Sequence, residues 1–153
     1  MRIAIGSDTA TELTEALILE LEKRGHERIE FGPLNKGDAG RDWPLVAEDV
    51  ARAVAEQRAD EGIVCCWTGT GVAIAANKIA GIRAALIADA ETARGARIFN
   101  HANILALSLR STTVPIMQEI LDAWFSTPVN EGEAQTEWNR AQIERIRAME
   151  QTL

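Results

Sequence analysis

The sequence predicts an α/β protein built on a parallel sheet. Short apolar runs alternate along the whole chain with longer segments in helical register. That alternation returns each strand parallel to the last through a right-handed crossover. The run Gly62–Cys66 is apolar throughout, as a strand covered on both faces should be.

The elements follow in order. Arg2–Gly6 reads as the first strand. Thr11–Arg24 is a helix with Leu13, Leu17 and Leu21 on one face, stopped by Gly25. Glu27–Phe31 is a weaker edge strand, and Gly32–Asp42, rich in Gly, Asn, Lys and Asp, is a loop. Pro44–Gln57 is helical, with Pro44 suited to a first turn and Val46, Val50 and Val54 in register. After the strand Gly62–Cys66 come a helix over Gly71–Ile79 and a strand over Ile82–Ile87. A helix over Glu91–Phe99, with Asp89 as its cap, and a strand over Asn103–Leu107 follow. Two helices close the chain, Thr113–Phe125 and Glu133–Gln151. The last carries Trp138, Ile143, Ile146 and Met149, which suit packing on another subunit or on the chain's own core.

The 153 residues fit one domain spanning 1–153, and no repeat, low-complexity tract or linker marks a second. A formal charge of −7 with no basic cluster argues against nucleic acid, whose binding draws on phosphate neutralisation. No apolar run is long enough for a membrane span, and the opening Met1-Arg2-Ile3-Ala4-Ile5 is a strand and not an export signal. The cytoplasm is therefore the expected compartment. Two adjacent cysteines, Cys65 and Cys66, point to opposite faces of a strand and do not suit a disulfide. With His26 and His101 they make no spaced metal site.

In parallel sheets, ligands bind beyond the carboxyl ends of the strands. Those ends here carry Gly6-Ser7-Asp8, Cys66-Trp67-Thr68-Gly69-Thr70-Gly71, Asp89 and Ser108-Leu109-Arg110. Gly69 and Gly71 let backbone N–H groups converge at a helix start, an anion site. Two readings follow. Gly69-x-Gly71 with Asp89 about 20 residues on imitates a dinucleotide fingerprint. The third small residue is missing at Ile74, however, and the motif sits on the third strand. The other reading is carbanion chemistry, in which a base removes the proton beside a carbonyl and amides stabilise the enediolate. Cys66 at the strand tip suits that base, since a helix N-terminus favours a thiolate. A small buried hydrophobe is the plainer fate of a free cysteine, and the pair divides the two roles if Cys65 is the packed member. Asp8 suits either the site or a helix cap. Arg110, ending an apolar strand, asks for an anion if it is buried.

The stretches Met1–Asp8, Asp42-Trp43-Pro44 and Gly62–Arg110 resemble the ribose-5-phosphate isomerase B and galactose-6-phosphate isomerase family. Its signature is matched by Cys66-Trp67-Thr68-Gly69-Thr70-Gly71, Ile74-Ala75-Ala76-Asn77-Lys78, Gly81-Ile82-Arg83-Ala84-Ala85 and Asn100-x-x-Asn103-x-Leu105-Ala106-Leu107. The resemblance implies a three-layer α/β/α sandwich on a five-stranded parallel, Rossmann-like sheet with an extra C-terminal helix. It also implies homodimers, or dimers of dimers, with sites between subunits. The implied reaction is aldose–ketose isomerisation of a sugar phosphate without metal or cofactor, ribose 5-phosphate to ribulose 5-phosphate by default. Carried over by position, Cys66 is the base and Thr68 the hydroxyl that shuttles a proton between O1 and O2. Gly69 and Gly71 frame the anion hole, with Trp67 and Thr70 in the same loop. Asp8 holds a sugar hydroxyl, Asn100 the enediolate region, and Arg110 and Arg140 a phosphate.

The chain also departs from the family. Thr9 and Phe99 stand where the family has histidines, the second of them associated with opening the sugar ring. Trp43 replaces a tyrosine, Trp67 a glycine, and Glu131-Gly132-Glu133-Ala134 a phosphate-gripping Gly-Gly-Arg-His. Glu133 is thus expected near a position where a cation belongs. His101 either substitutes for the missing imidazole or is an idle surface residue. A sugar-phosphate binder without turnover, or an isomerase of a different or unphosphorylated sugar, are the alternatives.

Overall fold

A computed structural model describes residues 1–152 of the chain. Five strands, β1 (Arg2–Ser7), β2 (Glu27–Phe31), β3 (Glu61–Cys66), β4 (Ala84–Leu86) and β5 (Ile104–Ser108), form one sheet in the order β2-β1-β3-β5-β4. Every neighbouring pair is parallel. The helices are α1 (Glu12–Lys23), α2 (Trp43–Ala55), α3 (Thr70–Ala76), α4 (Ala90–Asn100), α5 (Val114–Ser126) and α6 (Glu137–Glu150).

Period-two alternation sorts the strands between two cores. Ile3, Ile5, Ile63, Cys65, Leu105 and Leu107 face α1, α4 and α5. Ala4, Val64, Cys66, Ile104 and Ala106 face α2 and α3. The expected three-layer α/β/α sandwich results, with α6 as an outer helix packed on α4. Ile143 of α6 is buried within the chain, while Trp138 and Met149 stay exposed. The last helix thus buries Asn139 and Ile143 in its own fold and leaves two apolar side chains uncovered. No helix among the described residues is long and apolar enough to cross a membrane.

Four expectations of extent are corrected. Thr11 is the cap of α1, and its side chain and that of Thr14 each accept the other's backbone N–H. Helix α3 stops at Ala76 and not at Ile79, because the Asn77 side chain takes over the backbone groups. Its Nδ2 donates to the carbonyls of Ala73 (2.9 Å) and Ala84 (2.8 Å), and its Oδ1 accepts from Ala84 N. Strand β4 is three residues long because Arg83 N donates to the Asn103 side chain and not to a ladder partner. The segment from Glu133 is not yet α6. A short 3-10 turn, Gly132–Gln135, comes first, and the Thr136 hydroxyl then caps the helix.

Candidate active site

The sheet order puts the first connection on one side of β1 and the later ones on the other, so β1 and β3 flank a topological switch point. Crevices form there beyond the carboxyl ends of the strands. Ser7 of β1 is aligned with Cys65 of β3, so Asp8 and Cys66 leave the sheet side by side. These are two of the residues the sequence singled out.

The neighbouring cysteines divide as their alternation requires. Cys65 is wholly buried among the side chains between the sheet and α1, α4 and α5. Burial pushes its thiol up to about 12, with the nearby Cys66 and Asp8 adding to the effect. It is an inert core residue. Cys66 faces the other layer, at 5% exposure, directly before the loop that opens α3.

That loop is tightly built. Gly69 has φ +76°, and a Cβ there would lie 2.9 Å from the Leu107 carbonyl carbon and 2.5 Å from Leu86 Cδ1. Only glycine fits. At Gly71 a Cβ would meet the Trp43 ring at 3.0–3.3 Å, so the indole lies against the backbone at the start of α3. The first intrahelical bond of α3 runs from Ala73 N to Gly69 O, which leaves the N–H groups of Thr70, Gly71 and Val72 without helical partners. The Thr68 and Thr70 hydroxyls are 2.7 Å apart, so one donates to the other. The chain leaving β5 braces the loop. Leu109 N donates to Cys66 O and Arg110 N to Trp67 O, both at 2.9 Å, and Ser108 Oγ donates to Trp67 O.

Asp8 is not a cap, since Thr11 fills that place. Its Oδ1 is buried and lacks a hydrogen-bond partner among the described residues. Asp89 is the cap the sequence suggested. It accepts from Thr92 N at 2.7 Å and from Thr92 Oγ1 at 2.9 Å, and these bonds hold its carboxyl below the usual range. Arg110 is exposed. The cost of burying an unpaired guanidinium therefore does not arise, and its backbone is what the loop uses.

Asn100 and Arg140 stand elsewhere. Helix α4 carries the chain from the carboxyl end of β4 back to the amino end of β5, so Phe99 and Asn100 lie at the sheet's other edge. Cys66 and that edge are separated by the length of β3, roughly 15 Å at the usual strand rise. His101 closes α4 in a left-handed turn (φ 46°), and Arg83 Nε donates to its carbonyl. Its ring is buried, with Nε2 2.8 Å from Ala134 O. It is neither idle at the surface nor free to replace a missing site histidine. Arg140 borders a small cavity of about 130 Å³ with His101, Gln135 and Arg147. Within one chain it does not join Arg110. Glu133 lies 3.9 Å from Arg94, a cation the sequence reading had not paired with it. Trp67 is 64% exposed beside the cysteine. No group of three or more His, Cys, Asp or Glu is gathered for a metal among the described residues.

Sequence reasoning missed a buried polar cluster. Glu61, the first residue of β3, receives Arg97 Nη2 and Trp124 Nε1, each at 2.6 Å. Arg97 also donates to the carbonyls of Thr127 and Ala102. A glutamate at the head of a wholly apolar strand was the one available signal.

Residues 3–141 match the model of the ribose/galactose isomerase family. The chain belongs to that family. It is 36% identical over 151 residues to the ribose-5-phosphate isomerase B of Escherichia coli, covering 98% of this chain and 97% of the relative. The solved ribose-5-phosphate isomerase B of Clostridium thermocellum superposes with a TM-score of 0.87 at 37% identity, over 99% of both chains. The Mycoplasma genitalium ribose-5-phosphate isomerase B, solved with bound ribulose-5-phosphate, gives 0.86 at 33% identity, over 99% of this chain and 97% of that one. The family membership accords with the fold and with the cysteine and glycine loop at the switch point.

Proposed function

We propose that the protein interconverts an aldose and a ketose sugar phosphate through an enediolate, with ribose 5-phosphate and ribulose 5-phosphate as the reference pair. The observation that carries this reading is Cys66 at the switch point, followed at once by a loop whose amides lack helical partners. Cys66 Sγ takes the proton from the carbon beside the carbonyl and returns it to the neighbouring carbon. The Thr68–Thr70 hydroxyl pair passes a proton between O1 and O2. The amides at Gly69–Gly71 hold the oxygen on which charge develops, where fixed donors act at no reorganisation cost. Asp8, with its spare buried oxygen, accepts from a sugar hydroxyl, and Trp67 covers the mouth.

The functional unit is a homodimer, in which a second copy brings Asn100 and Arg140 to the Cys66 crevice and Arg140 joins Arg110 on the phosphate. Three observations support this: the two groups lie at opposite edges of one chain, Arg140 and Arg110 make no ion pair among the described residues, and Trp67, Ile74, Leu86 and Phe99 are exposed apolar side chains.

The test is Cys66→Ala. Removing a general base should lower kcat/KM by on the order of a thousandfold with an unchanged circular dichroism spectrum. Wild-type turnover in deuterium oxide should label the carbon beside the carbonyl. Near-normal turnover of the variant, or wild-type turnover without label, refutes the assignment.

A further inference from the structure

Pentoses and hexoses rest mainly as cyclic hemiacetals. Their carbonyl appears only when the bond from C1 to the ring oxygen breaks, the ring oxygen gains a proton and the C1 hydroxyl loses one. Imidazole is the side chain that both gives and takes a proton readily at neutral pH. This chain has two, His26 and His101, and both are engaged elsewhere. The His101 ring is buried against Ala134 O. His26 precedes β2 at the amino edge of the sheet, with its ring packed at a tilt on Phe125, centroids 4.4 Å apart. A second copy that lends Asn100 and Arg140 brings His101 with them, but as a buried ring whose Nε2 is already held at Ala134 O, so the shared site gains no free imidazole.

The other candidates fare no better. Phe99 is 45% exposed, its ring turned back toward Gly95 on its own helix, and Thr9 offers a hydroxyl. Asp8 is a base with no acid beside it, and Cys66 is committed to the C–H proton. Thr68 and Thr70 offer hydroxyls, and the Arg110 guanidinium only donates. The site therefore holds the groups for moving a proton between two carbons and lacks the acid–base pair for opening a ring.

We infer that this site is specialised for sugar phosphates whose carbonyl is already open, the class being a four-carbon aldose esterified on its terminal oxygen. In that sugar the only hydroxyl able to close a five-membered ring carries the phosphate, so the chain stays acyclic. This rests on the isomerase reading above. A cyclic substrate such as ribose 5-phosphate enters only through its minor open form, and its apparent affinity falls by that fraction.

The full-length protein is titrated against erythrose 4-phosphate and ribose 5-phosphate, with ketose formation followed in each case. Erythrose 4-phosphate flux should rise in proportion to enzyme. Ribose 5-phosphate flux should level off at the spontaneous ring-opening rate, measured separately by nuclear magnetic resonance exchange. At low enzyme the ratio of kcat/KM should favour the tetrose on the order of a hundredfold, as a competent fraction near one per cent dictates. Ribose 5-phosphate conversion faster than spontaneous opening overturns the inference and leaves the isomerase reading standing. So does solvent deuterium exchange into ribulose 5-phosphate, which is itself open, with no turnover of erythrose 4-phosphate. Absence of any conversion or exchange removes the isomerase reading and the inference together.

Discussion

The two edges of the sheet are built on opposite terms. At the amino edge, Glu61, Arg97 and Trp124 join β3, α4 and α5 in a buried cluster whose charged oxygens and nitrogens are answered. The Arg97 guanidinium also lies 4.8 Å from the Trp124 ring centroid. At the carboxyl edge, Asp8 keeps a buried oxygen unpartnered among the described residues, the first amides of α3 have no helical partners, and Gly69 holds a left-handed turn. The same strands run from one edge to the other. Polar groups satisfied by the protein itself hold the fold, and polar groups left unsatisfied are available to a ligand. The division teaches where a substitution should be felt as lost stability and where as lost turnover.

Arg97→Ala is the strongest way to test that division. It strands the Glu61 carboxylate in the interior, and breaking such a pair costs about 3–5 kcal/mol. Urea denaturation should show the loss, while kcat/KM per folded molecule stays near wild type. A loss under about 1 kcal/mol would mean that the amino edge is not the anchor. Replacing Glu61 and Arg97 together with Leu and Met should recover much of the deficit, since no charge is then left unpaired.

Gly69→Ala should be smaller in stability and larger in function. The left-handed backbone costs a non-glycine residue about 1–3 kcal/mol, and the added methyl meets the Leu107 backbone at 2.9 Å. The loop must shift to relieve this, so kcat/KM should fall by more than the change in stability suggests. Equal kcat/KM in variant and wild type would show that the amides of this turn do not serve the reaction.

The smallest effect concerns Cys65. Its folded thiol keeps its proton up to about 12, whereas the unfolded chain releases it near 9.0. The stability tied to that proton is complete below pH 9 and is lost as pH rises toward 12. By pH 10 the loss is on the order of 1–2 kcal/mol, and it grows toward pH 12. Cys65→Ala should flatten this part of the alkaline stability curve while keeping turnover, in contrast to Cys66→Ala. An unchanged slope in the variant would assign the alkaline sensitivity to other groups.

The sheet was legible because its strands are short apolar runs bounded by polar turns, and the site loop because two glycines follow a cysteine at a strand tip. That Cys65 and Cys66 face opposite layers followed from alternation alone. Other features depend on partners far along the chain. Glu61 meets Arg97 and Trp124 across 36 and 63 residues, and no local pattern announces that cluster. Asn77 ends α3 early by binding Ala84, seven residues on. His101 looked like a surface residue because its cover, the turn at Ala134, lies beyond another helix. The placement of Asn100 was available in principle, since a helix that leaves the carboxyl edge must return to the amino edge before the next strand. Family resemblance grouped Asn100 with Cys66 by role, and one chain keeps them apart.

That separation by the length of a strand has a genetic consequence in the proposed dimer. Cys66→Ala damages the crevice a subunit owns, and Asn100→Ala the contribution it lends to its neighbour. A hybrid of the two has one site carrying both lesions and one site carrying neither. Random pairing of equal amounts should then restore about one site in four, although each parent alone is inactive. Two defective alleles expressed together in one cell would complement each other.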